Sequence, residues 1–354
     1  MRIHLYFLYL LSVILWASCT GDYRPTAKGD LDTIVVIADT TQEGSYLFYE
    51  ALMETFGRPI ETVPSYETMY RIVIENPITE QDLNRFKERT NVIIAAPIDE
   101  SSNPGSLIRS MLNEELEKQV WANQSFAFPI QELWAKEQWL LLLTSTNYEE
   151  LAENLRSTGQ YLTDRLLESE LQRRESEIYD KGEQTYLSDS LMSKHGWSVR
   201  MQHDYFQTID TTNFVQFKRM LADNERWMWG WWVDGITNFE TITPEWINST
   251  RDSLMQSYIQ GKREGSYIQT EYRRPVITTA LSHDRYQAYE THGTWRMEGD
   301  FMGGPFVNFV YYDPSSQRLY MIEYGQFAPN VGKRRFVRQF QTMGRTFTTQ
   351  SSIQ

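Results

Sequence analysis

Glu290, His292, Thr294 and Arg296 alternate along one predicted strand, opposite Tyr289, Thr291 and Trp295. Side chains two apart on a strand share a face, so these four make one polar row. A carboxylate, an imidazole and a guanidinium in such a row can bind an anion or move protons. Glu290 and His292 also supply two metal ligands, but no third is visible in the sequence and no metal site is assigned. The competing reading is a solvated sheet face, and it is favoured. Further along, Asp300 to Pro305 reads as a loop between strands carrying Gly303-Gly304. Glycine lets a backbone approach a ligand closely or take an unusual φ. No helix follows at once, so the context of a phosphate-binding loop is missing, and a structural turn is favoured. A pocket, if there is one, is expected here, near Arg296, Asp300 and Glu323.

Arg226-Trp227-Met228-Trp229-Gly230-Trp231-Trp232 is the most unusual tract. On a strand Trp227, Trp229, Trp231 and Val233 share one face. They form either an aromatic platform for sugars or peptides or, as favoured, part of a core. Trp232 and Met228, on the opposite face, are the expected exposed pair. Lys333-Arg334-Arg335 with Arg338 is a basic cluster in an acidic chain. It could meet an acidic partner, and the exposed side of a surface helix is the favoured reading. His195 and His203 stand alone, as surface histidines do. The chain has no Gly-x-Ser-x-Gly, no His-Glu-x-x-His and no P-loop, so the common hydrolase and nucleotide signatures are missing. Acid-pair hydrolases leave no such motif and stay open.

The elements that would position these groups begin with an N-terminal leader. Arg2 is the only charged residue before Cys19, and Leu5 to Trp16 is almost wholly apolar. That is the pattern of a secretory signal, and it is too short to span a bilayer. Ala17-Ser18-Cys19 resembles a lipobox, in which lipid is added to the Cys and the chain is cut before it; Trp16 stands where an aliphatic residue is usual. Cys19 is the only cysteine, which suits an oxidising compartment and excludes disulfides and thiol catalysis from the body. Residues 19–32 are expected to form a flexible tether. The net charge of −13 argues against nucleic acid and against adsorption to anionic lipid head groups.

Residues 33–146 alternate buried strand-like runs, such as Thr33 to Ala38 and Asn91 to Pro97, with helical stretches. They predict an N-terminal α/β domain with strands also near 70–74, 125–130 and 138–144, and with one helix over 106–122. Residues 147–195 are rich in Glu, Arg, Leu and Gln and predict a long helical connector, whole or broken once. Residues 196–354 predict a C-terminal antiparallel domain: strands, a helix opened by Thr243-Pro244-Glu245, more strands, and a closing helix over 333–347. The fold class is α+β, with two α/β-type domains.

The signal with Cys19, Lys194-His195-Gly196-Trp197-Ser198, Thr243-Pro244-Glu245 and Asp300-Phe301-Met302-Gly303-Gly304-Pro305-Phe306 together resemble an uncharacterised lipoprotein family of Bacteroidota, domain of unknown function 4837. The second half resembles the PsbP-like fold. That resemblance implies an anchored envelope protein and assigns no catalytic residue and no cofactor. The expected role is a non-catalytic binding or assembly module, held by lipid, in the outer membrane facing the periplasm, for an envelope protein or a small ligand. The alternative is an envelope hydrolase using carboxylates such as Glu290, Asp300 or Glu323 on glycan or peptide.

Overall fold

The computed structural model describes residues 22–76 and 79–352; the expected signal over 1–18 and Cys19 lie outside them. The first sheet contains β1 (Thr33–Ile37), β2 (Arg71–Glu75), β3 (Asn91–Ala95), β4 (Ala127–Gln131) and β5 (Trp139–Leu143), in the order β2-β1-β3-β5-β4. All neighbours are parallel except the β4–β5 edge pair. A parallel sheet must be covered on both faces, which is why β1, β3 and β5 read as unbroken apolar runs. The covering helices are α1 (Ser45–Thr55), α2 (Glu80–Asn84), α3 (Asn103–Met111), α4 (Glu114–Trp121) and α5 (Tyr148–Tyr179). Phe48, Leu52, Leu151 and Leu155 of α1 and α5 pack on one face. Leu83, Ile108 and Val120, of α2, α3 and α4, pack on the other.

The single helix expected over 106–122 is two. Leu112 is extended (φ −92, ψ 146), and the Asn113 side chain accepts from Leu116 N at 2.9 Å to start α4 afresh. An Asn side chain that bonds its own backbone competes with helix continuation. The expected tether also differs. From Asp22 onward it lies on the first sheet's unit: Ala27 N donates to Lys136 O at 2.9 Å, and Lys136 N to Pro25 O at 2.8 Å.

The second half adds α6 (Thr185–His195), β6 (Trp197–Ser198), β7 (Phe206–Asp210), β8 (Phe214–Leu221), β9 (Asn224–Asp234), α7 (Pro244–Tyr258), β10 (Tyr267–Thr270), β11 (Ile277–Leu281), β12 (Gln287–Glu298), β13 (Gly303–Asp313), β14 (Arg318–Phe327), α8 (Arg334–Gly344) and β15 (Thr348–Thr349). Eight of the strands form one antiparallel sheet, β10-β12-β13-β14-β9-β8-β7, with β11 also on β12. The whole is α+β, as expected. Strand β6 is only the two residues Trp197–Ser198, paired with β15. β7, β10 and β15 were not expected from sequence.

Helix α7 covers one face of this sheet with Ile247 and Met255 on Trp227, Trp229, Phe306 and Met321. Val337, Phe340 and Met343 of α8 cover the other, on Phe309, Tyr311 and Tyr324. The stretch 147–195 is more than a connector. Leu155, Leu162 and Leu166 of α5 belong to the first unit's core, Ile178 and Tyr179 to the second's, and α5 packs along α8.

Thr243 caps α7, its Oγ1 accepting from Trp246 N at 3.2 Å. Thr243→Ala is expected to lower stability by about 1 kcal/mol, read as a shift of the denaturation midpoint. An unchanged midpoint would mean that the cap is dispensable.

Candidate functional site

The polar row on β12 is not a solvated face. Glu290 is buried beneath α8. Its Oε1 accepts from Gln341 Nε2 at 2.6 Å and lies 2.7 Å from His292 Nε2. Its Oε2 accepts from Arg345 Nε and Nη2 at 3.1 and 3.0 Å. Burial alone would raise this carboxyl, but the hydrogen bond and charge of His292, with Arg345 and Gln341, outweigh it and hold the pKa at about 2. Thr294 is also buried, donating to Thr62 O of the first unit at 3.1 Å. Arg296, at the end of the row, reaches solvent and pairs with Glu298 at 2.6 Å. The expectation of a solvated row fails because α8 folds back over it.

Glu323 lies on the opposite face of the sheet, beneath α7. It is fully buried with Arg251, which donates Nε to Oε2 at 2.7 Å and Nη2 to Oε1 at 2.8 Å. Asn308 Nδ2 donates to Oε2 at 3.2 Å, and the guanidinium stacks 3.9 Å from the Phe306 ring centre. Burial pushes the Glu323 carboxyl up, and Arg251 opposes it. Glu290 and Glu323 are therefore screened from each other by the sheet and cannot flank one bond of a substrate.

Arg296, Asp300 and Glu323 are not brought together as the lining of one pocket: Glu323 is fully buried beneath α7, whereas Arg296, on the other face, and Asp300 reach solvent. Asp300 sits in the β12–β13 turn, 3.7 Å from Arg263. Gly303 and Gly304 are the first residues of β13, not part of a loop. A Cβ on Gly304 would lie 1.9 Å from Gln326 O, so this glycine serves strand packing rather than a ligand.

Trp232 and Met228, expected to be exposed, are 5% and 1% exposed. Both faces of β9 are core: Trp232 packs at 5.8 Å on Trp197 and 4.6 Å on His195. Gly230 makes room, since a Cβ there would meet the Trp197 ring at 2.4 Å. His195 is bonded to Asp210 at 3.0 Å, and His203 is surface-exposed beside Asp204.

Arg338, expected on an exposed helix side, is 5% exposed. It donates to Gln341 Oε1 at 2.9 Å and approaches Glu170 at 3.5 Å. Glu170, fully buried, also accepts from Tyr70 at 3.0 Å and Arg174 at 2.6 Å. The start of α8 is bound to the first unit as well. Glu67 accepts from Lys333 N at 2.7 Å and Arg334 N at 2.9 Å, and Arg334 Nε donates to Asp32 at 2.8 Å. An acid at a helix N-terminus meets its free N–H groups. The basic cluster is thus the seam between the two units.

Beside that seam lies a cleft of about 570 Å³, where the N-terminal ends of β1, β2 and β3 meet the last turns of α5 and the start of α8. It is polar and rich in arginine. Arg334 pairs with Asp32, Arg335 and Arg174 with Glu177, and Arg71 with Asp30 at 3.6 Å. Arg173 projects into it from α5. None of these residues except Arg334 and Arg335 was singled out from sequence. The signals that could have found them are the Arg173-Arg174 pair in a Glu-rich helix and the acids of 30–32 before β1. Among the described residues no group of three or more His, Cys, Asp or Glu could hold a metal ion, and no helix is long and apolar enough to cross a membrane.

By its architecture this is an α+β protein of two main sheets joined through one long helix and a seam helix. The family described as "Domain of unknown function (DUF4837)" matches residues 184–346, which takes in the antiparallel sheet, α7 and α8. No curated protein matches the chain. Among solved structures it is similar to a point mutant of protein Mog1 (7% identity, TM-score 0.29). It is also similar to the Ran-binding protein Mog1p of Saccharomyces cerevisiae (7% identity, TM-score 0.30). Each comparison covers 44% of this chain and 90% of the other. Likenesses at that level carry no argument about function.

Proposed function

We propose that this protein is a lipid-tethered binding module of the cell envelope, held by Cys19 in the outer membrane and facing the periplasm, in a lipoprotein family of Bacteroidota. It engages a ligand or partner without reacting with it. The carrying observation is the contrast between its acids and its cleft. The carboxylates best placed in sequence for hydrolysis, Glu290 and Glu323, are spent in buried arginine pairs on opposite faces, whereas the polar cleft at the seam is open to solvent. Ligand sites favour such junctions between units. Supporting the anchor, the leader ends at the sole cysteine. Residues 27–32 then run along the cleft wall, so a tether would leave the body beside the site.

The test is fractionation and crosslinking capture of the full-length tagged protein from intact envelopes, with Cys19→Ala beside it. The expected outcome is a membrane-bound wild type, a soluble Cys19→Ala and a partner captured only by the former. A Cys19→Ala protein that stays with the membrane would overturn the lipid tether.

A further inference from the structure

The cleft contains charges that their neighbours leave unmatched. Arg173 donates to Ser169 O at 3.1 Å, Thr90 O at 3.1 Å, Glu137 O at 3.2 Å and Asn91 Oδ1 at 2.7 Å. All four acceptors are neutral, and among the described residues no carboxylate lies within ion-pairing distance of it. Arg173 is part-buried; taking a cation from water is costly, and burial pushes this guanidinium down while the charges of Glu170 and Glu137 oppose the shift. The arginines beside it are already paired. On the acid side, Glu137 and Asp180 line the same cleft. Neither carboxylate has a hydrogen bond or ion pair among the described residues. Asp180 caps the C-terminus of α5, seven residues from Arg173, so their Cα atoms lie about 10 Å apart along the axis.

Resting on the reading of the cleft as a binding site, we propose that its ligand is a short zwitterionic peptide with both termini free. Its carboxylate meets Arg173, and its ammonium meets Asp180. A simple anion would match Arg173 but face two unpaired carboxylates. A simple cation would match those acids but leave Arg173 uncompensated. Three extended residues span about 10 Å, comparable with the axial spacing of the Arg173 and Asp180 backbone positions, and a cleft of about 570 Å³ is in the range for small ligands.

The experiment is calorimetric titration of the full-length protein in detergent with trialanine, N-acetyl-trialanine and trialanine amide. It is repeated on Arg173→Met and on Asp180→Asn, the latter at an exposed position that folding tolerates. The expected result is binding of trialanine, with each blocked form weaker by roughly ten-fold or more. Arg173→Met should no longer distinguish free acid from amide, and Asp180→Asn should lose most of its preference for the free amine. Equal binding of the acetylated and free peptides overturns the zwitterion while leaving a binding cleft. Failure of all three peptides to bind overturns both.

Discussion

Glu323→Ala is expected to destabilise the protein by about 3–5 kcal/mol, the largest single effect we foresee. The substitution leaves the Arg251 guanidinium fully buried beneath α7, with Thr270 and Asp252 as its remaining side-chain acceptors. It also strips Asn308 of its acceptor. An unpaired buried charge costs far more than the intact pair contributes, because the pair's attraction is largely offset by desolvation. The double variant Arg251→Met, Glu323→Leu should therefore recover most of the loss, since two apolar side chains of similar volume would fill the space between Trp229, Phe306 and Met255, all buried. Denaturant unfolding followed by tryptophan fluorescence reads both. A single variant that loses less than about 1 kcal/mol, or a double variant no better than the single, would mean that Arg251 finds water or another partner.

The same pair shows why one half of this chain was easier to read than the other. In the first sheet the strands are central and parallel, so Val35-Val36-Ile37, Val92-Ile93-Ile94 and Leu140-Leu141-Leu142 are apolar throughout; their burial needs no knowledge of partners. In the second sheet both faces are also covered, yet each face carries polar groups: Glu323, Asn308 and Arg251 under α7, and Glu290, Gln341 and Arg345 under α8. Alternation there suggests a wet side that does not exist. The misjudged exposures at Trp232, Glu290 and Arg338 share one cause. Each depends on the second unit's helices or the first unit's acids arriving from far along the chain: α6 and β6 onto Trp232, α8 onto Glu290, and Glu170 onto Arg338. The short edge strand β7 was missed because Phe206 to Asp210 is exposed at nearly every position and has no apolar stripe to announce it. The cleft escaped for a related reason. Its walls come from residues 27–32, 71, 90, 137, 173–180 and 334–335, and no local pattern joins segments spaced so widely.

Acid is expected to weaken the contact of α8 with the second sheet through Glu290. The folded-state pKa of this carboxyl is about 2, against an ordinary value of 4.5. A group whose pKa is depressed by folding stabilises the folded state above its unfolded pKa, and that stability is lost as pH falls through the folded value. The window is therefore pH 4.5 down to about 2, and the stake is about 3 kcal/mol at most. Protonation would remove the charge that Arg345 and His292 meet on Oε2 and Oε1, leaving Arg345 to the more exposed Glu168 at 3.2 Å. Glu290→Gln keeps the shape but not the charge. It should lower stability at pH 7 and flatten the fall between pH 4.5 and 2 relative to wild type, as measured by urea unfolding across that range. Parallel curves for the two proteins would show that Glu290 is not the group whose protonation loosens α8.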